Sequence, residues 1–221
     1  MKARVELWVR LKVVDLVSQT AWMTLVEKLE LGDDLRGLVH YSYWGMDAEG
    51  SDGMTILSEI DRVVRMDSAF TNQNKHLYRL IVEGGGSTGD LVLEKDFPMN
   101  VAAKHQSERG GIFSFDCLVR ELHSNREEGF KKRLNARLKA VSVSDLKAGE
   151  VWRVIIRGRN EDEAAKRIKE IIITRSRREG LLLNPHYQGF EIISSTRLEK
   201  ERNDPKGRVG TAGINPARKR V

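Results

Sequence analysis

The chain has 221 residues, 40% hydrophobic and 32% charged, a balance typical of globular proteins and unlike that of disordered or membrane-spanning ones. No apolar run approaches the roughly 18 residues that a bilayer span needs, and the N-terminus lacks the apolar core of a signal peptide, so a cytoplasmic protein with no membrane partner is expected. The net charge of +6 is concentrated at the far end: from Ser195 onward eight Lys or Arg face three acids, leaving 30 basic and 29 acidic side chains in residues 1–194.

In chain order, Val5, Leu7, Val9, Leu11 and Val13 alternate with Arg4, Glu6, Trp8, Arg10 and Lys12, the period-two pattern of a strand with one buried face. Trp22, Leu25, Val26 and Leu29 then fall at helical spacing, with Asp15 or Ser18 as cap and Gly32 as stop. Residues 36–44 return to strand composition, with Leu38, His40, Ser42 and Trp44 on one side and Val39, Tyr41 and Tyr43 on the other. A helix is predicted over 55–66, a hairpin over 76–97 turning on Gly84, Gly85 and Gly86, and helical segments over 116–140. Residues 151–157 form another β-rich run. Asn160 opens a helix and stands at capping-box spacing from Glu163; Arg175, Arg177 and Arg178 suit its C-terminal dipole, and Gly180 its end. After Asn184-Pro185, which cannot continue a helix, Phe190 to Ile193 read as a closing strand. Residues 195–221, rich in Gly, Pro and Asn without apolar periodicity, read as a disordered basic tail.

A strand, a helix and a strand at each end imply an α+β fold. Two β-α-β half-units would form one sheet with helices on one face, from residues 1–45 and 150–194, around an inserted α+β region at 46–149.

Few residues carry a chemical signature. The single cysteine, Cys117, rules out an intramolecular disulfide and a zinc site built on several thiolates. None of the five histidines, His40, His76, His105, His123 and His186, pairs at the three- or four-residue spacing that puts two ligands on one helix face, so neither metal nor cofactor is expected. The glycines of residues 83–90 lack the Lys-Ser/Thr of a phosphate loop and lie between strand patterns, which favours a hairpin connection. No hydrolase, zinc-protease or kinase signature is present, which lowers the prior for an enzyme without deciding it.

The polar stretch 67–76 offers Asn72, Asn74 and His76 as partner or ligand contacts, against the plainer reading of a loop satisfying its own backbone, and Asn184 and Pro185 form a second such turn. Residues 120–139 carry seven Lys or Arg, with Phe130, Leu134 and Leu138 at four-residue spacing. This reads as an amphipathic basic helix whose Lys131, Lys132, Arg133 and Arg137 could meet nucleic acid, although no aromatic residues interleave as a stacking platform would require.

The opening ARVELWVRLKVVDLVSQTAWMTLVEKLELGDDLRGLVHYSYWGM and the closing VWRVIIRGRNEDEAAKRIKEIIITRSRREGLLLNPHYQGFEII resemble the two halves of the PurS-type small subunit of formylglycinamide ribonucleotide amidotransferase. The segment LLLNPHYQGFEI is the most specific piece. The resemblance implies a non-catalytic, oligomeric assembly subunit of purine biosynthesis, self-associating through its sheet and bridging a glutaminase to an ATP-dependent synthase. A nucleic-acid-binding module is the alternative expectation.

Overall fold

The computed structural model describes residues 1–86, 89–95, 111–122, 125–173 and 181–198. Its elements are β1 (Lys2–Leu11), α1 (Leu16–Met23), β2 (Leu35–Glu49), α2 (Gly53–Met66), β3 (His76–Gly86), β4 (Gly89–Lys95), β5 (Gly111–Glu121), α3 (Arg126–Asn135), β6 (Ser142–Gly158), α4 (Glu161–Ile172) and β7 (Gln188–Leu198), with a π-helical turn, Thr24–Lys28, extending α1. The strands form one seven-stranded sheet in the order β4-β3-β1-β2-β6-β5-β7, and every adjacent pair is antiparallel. The fold class is α+β. None of the described helices is long and apolar enough to cross a membrane.

Local chemistry starts the helices. Asp15 accepts the Val17 N–H at 2.9 Å, Asp52 the Thr55 N–H at 2.8 Å, and Asn160 the Glu163 N–H at 2.8 Å, satisfying donors that the first turn leaves without an intrahelical partner. Glu163 reaches back to the Arg159 N–H at 3.0 Å, completing a box one residue earlier than the spacing predicts. Strand alternation then decides what is buried where. Val5, Leu7 and Val9 of β1, Trp44 and Met46 of β2, and Leu80 and Val82 of β3 pack under α2 and α3, with Leu134 among them. Phe113, Phe115 and Cys117 of β5 and Trp152, Val154 and Ile156 of β6 pack with Ala21 and Leu25 at the α1 end and Ile168, Ile171 and Ile172 of α4. The cross-strand register places both clusters on the same sheet face, so the four α-helices among the described residues cover that face.

The opposite face carries no described helix, yet Trp8, Tyr41 and Tyr43 are 1–2% exposed there. Trp8 meets both tyrosines edge to face, with centroids 5.7 and 5.1 Å apart.

The sheet differs from the sequence-based expectation in the middle of the chain. Residues 116–121 are strand, the second half of β5, because alternation across Phe113, Phe115, Cys117 and Val119 outweighs the charge run that follows. Arg120 thus sits on a strand, and the basic helix is limited to α3, which stops before Arg137 and Lys139. β6 and β7 are not neighbours, since β5 lies between them, whereas β1 and β2 pair directly. Residues 46–149 supply β3, β4 and β5 to the common sheet, and β2 and β6 run across both ends of that region. Ser195 to Leu198 continue β7 against β5; the rest of the expected tail, residues 199–221, lies outside the described residues, as do Arg175, Arg177, Arg178, Gly180, His105 and His123.

The arrangement has an internal two-fold pattern. One half runs β1-α1-β2-α2-β3 with spatial order β3-β1-β2; the other runs β5-α3-β6-α4-β7 with order β7-β5-β6; they join through antiparallel β2 and β6. The register puts the pseudo-two-fold axis at the Ser42–Glu150 pair, where Trp44 faces Ala148 on one side and Trp152 faces His40 on the other. In this alignment Trp44 corresponds to Trp152, Gly50 to Gly158, Ile60 to Ile168 and Asn72 to Asn184. The entry to each outer strand is built alike: Lys12 N–H bonds the Lys75 carbonyl at 2.8 Å, and Leu122 N–H bonds the Tyr187 carbonyl at 2.9 Å.

Candidate functional site

Where the halves meet, the helical face opens into a cleft of about 110 Å³ lined by Ser42, Trp44, Arg120, Glu127, Phe130 and Glu150, among others. That is well below the roughly 300–1,000 Å³ of pockets that enclose a drug-sized ligand. Beside it, β2 carries His40. Its Nδ1 lies 3.0 Å from Asp15 Oδ2, and its Nε2 is 3.5 Å from Glu150 Oε2, an ion-pair distance rather than a close hydrogen bond. The imidazole lies against Trp152 at a centroid distance of 4.6 Å. Burial disfavours the imidazolium, but attraction to Glu150 and then Asp15 outweighs it and holds the His40 pKa above its ordinary value. The same contact holds Glu150 below the usual carboxylate range, against burial.

Asp15 therefore has two partners, the N-terminus of α1 and the imidazole on β2, while Glu150 belongs to the other half. The group works as a latch across the seam. The remaining charges in the cleft are also matched: Arg120 pairs with Glu127 at 3.3 Å, and Glu127 accepts the Ala148 N–H at 3.0 Å. Such an arrangement holds strands and helices together.

No protein-family model, curated protein or solved structure matches the chain. What the chain does is therefore argued from its own geometry.

A second polar cluster lies on the helix-free face. Arg153 makes two hydrogen bonds to Asp116, Nε to Oδ1 at 2.7 Å and Nη2 to Oδ2 at 2.9 Å, and Ser194 donates to Asp116 at 2.5 Å. The guanidinium stands over Trp8 at 5.9 Å and Tyr41 at 5.5 Å. Glu6, at the position equivalent to Asp116 in the first half, accepts from Tyr43 at 3.2 Å and from Trp8 at 3.3 Å. Burial, reinforced by the charge of Glu6, raises the Tyr43 phenol above its ordinary pKa.

The residues singled out from sequence fall into three places. Asn72, Asn74 and His76 form the turn into β3: the Asn72 carbonyl accepts from Lys75 and His76, its side chain from the Asn74 N–H, and its own N–H donates to His76 Nδ1. Asn184 does the same ahead of β7, accepting from Tyr187 and Gln188, capping the His186 N–H and donating to Gln188 Oε1, with Pro185 as the next residue of the turn. Because β3 and β7 run in opposite directions, these turns lie at opposite ends of the sheet.

On α3, Lys131 and Lys132 lie 2.8 and 3.9 Å from Glu128, and Arg133 bonds Asp67 at 2.5 Å; Arg137, just beyond the helix, meets the same Asp67. Two of the four cations offered to nucleic acid are thereby committed to a buried carboxylate. The Gly84 N–H is taken by Asp90 at 2.8 Å, which puts an acid where an anion would sit. Among the described residues, no three His, Cys, Asp or Glu side chains are grouped as a metal ion would require.

Proposed function

We propose that the chain is a non-catalytic assembly subunit, cytoplasmic and self-associating, that works by holding other proteins together. The observation that supports this reading is the exposed apolar segment that leads from β1 into the first turn of α1: Val13, Val14, Leu16 and Val17 are 71, 70, 70 and 56% exposed. Soluble monomers seldom display a contiguous apolar patch of several hundred Å² unless it meets a partner. The narrower form of the proposal, which rests on the resemblance of the terminal segments, is a PurS-like bridge between the glutaminase and synthase subunits of a purine-biosynthetic amidotransferase.

The narrower form has a direct test. Added to purified glutaminase and synthase subunits lacking their own small subunit, the chain is expected to co-elute with both and to restore glutamine-dependent amidation. Separate elution with no restored turnover would refute the PurS-like role.

A further inference from the structure

Residues 13–26 contain a single charged side chain, Asp15, and it is turned inward onto His40. Within this stretch Leu16, Thr20 and Met23 repeat at helical spacing along one side of α1, Met23 being 47% exposed, and Val13, Val14 and Val17 extend the apolar area toward β1. The stripe ends in opposite charges. At its entry stand exposed Lys12 and Lys75, joined through their backbones. At its exit stand exposed Glu27, Glu30 and Asp33, with Lys28 the one base among them.

We propose that this stripe is a self-association surface on which α1 packs antiparallel against α1 of a second copy, about a two-fold axis near Thr20. The proposal deepens the assembly reading and rests on it. A two-fold operation brings Leu16 toward the second copy's Met23 and the Lys12–Lys75 end toward the acidic end, in both directions at once. A patch flanked by one sign of charge would repel itself; this one, basic at one end and acidic at the other, is complementary to its own inverse. Thr20, small and uncharged, sits at the crossing, where helix axes must approach to about 8–10 Å. The Asp15 cap and its bond to His40 fix the start of α1 before any partner arrives, which lowers the ordering cost of docking. The contact is small, so dissociation in roughly the micromolar range is expected.

The test is sedimentation of the full chain from low micromolar to near-millimolar concentration. The expected result is a monomer–dimer equilibrium that Leu16→Glu weakens at least tenfold while the circular dichroism and thermal midpoint stay those of the native chain. Lys12→Glu and Glu27→Lys should each weaken the dimer, and the chain carrying both should recover it, since the reversed charges again face each other. A monomer at every concentration overturns the proposal, as does a dimer indifferent to Leu16→Glu or a double variant no tighter than its parents. None of those outcomes bears on co-elution with the glutaminase and synthase, so failure of this surface and failure of the bridging role are told apart.

Discussion

Removing the carboxylate of Asp116 takes from the Arg153 guanidinium its two-point ion pair in a place where water barely reaches, since the two side chains are 5 and 9% exposed. Loss of one partner from such a pair costs about 3–5 kcal/mol. Ser194 loses its acceptor in the same step, about 1 kcal/mol more. The faces of Trp8 and Tyr41 keep part of the stabilisation of Arg153. Asp116→Ala should therefore destabilise the chain by about 4 kcal/mol; at the roughly 2–4 °C per kcal/mol that applies to chains of this size, its melting midpoint should fall by about 8–16 °C. Replacing both partners, Asp116→Leu with Arg153→Met, removes the desolvation cost together with the attraction and should return stability to within about 1 kcal/mol of the native chain. Urea denaturation at neutral pH measures both variants. Molar salt should leave the difference unchanged, because a buried pair is poorly screened. A single variant costing less than about 1 kcal/mol, or a double variant as weak as the single, would show that this pair does not hold β5 to β6 as described.

Three further outcomes follow from particular contacts. A Cβ added at Gly50 would stand 2.8 Å from Ile56 Cγ1, and one at Gly158 would stand 2.9 Å from Ala164 Cβ, so each Gly→Ala should cost about 1–3 kcal/mol in chemical denaturation; an effect at only one of them would contradict the equivalence of the halves. Asn160→Ala should cost about 1 kcal/mol through the lost cap of α4, read from the urea midpoint. His40 is the pH-sensitive position: its folded pKa is raised, so its contribution is complete below the ordinary value near 6.5 and is lost as pH rises through the folded value. The stability gap between the native chain and His40→Gln should therefore be widest in mild acid and narrow with rising pH; a gap independent of pH would mean that the Asp15–His40–Glu150 latch is not ionised.

Elements governed by local chemistry were legible in the sequence. The alternation of Val5, Leu7 and Val9, the cap at Asn160 and the stripe ending in Ile171 and Ile172 each encode an element within a dozen residues, and each is present. β5 was harder to read because Asp116, Arg120 and the bases after it mimic the polar face of a helix, while the inward Phe113, Phe115, Cys117 and Val119 declare a strand only over the full length of the segment. The latch was out of reach altogether. His40 and Asp15 are 25 residues apart, and Glu150 joins them only through the register of β2 on β6, which no short-range pattern records. Asp15 was recognisable as a cap; its second bond was not.

The two strand-helix-strand segments read from the ends of the chain belong to a repeat that is out of phase with them: the opening segment is the first three elements of one unit, and the closing segment is the last three of the other. What the units still share lies where geometry is demanding, as at Gly50 and Gly158, whose strands end against the next helix, and at Asn72 and Asn184, whose turns have the same bonds. Where they diverge is informative too. α1 and α3 occupy equivalent positions, yet α3 carries the exposed Arg126, Glu128 and Lys132 on its outer face, as expected of a surface helix, whereas α1 has no charged residue. Were the apolar outer side of α1 a by-product of the repeated fold, α3 would share it. Its confinement to one half means that each chain offers one such surface, and a single isologous surface closes on itself as a dimer rather than growing into a filament.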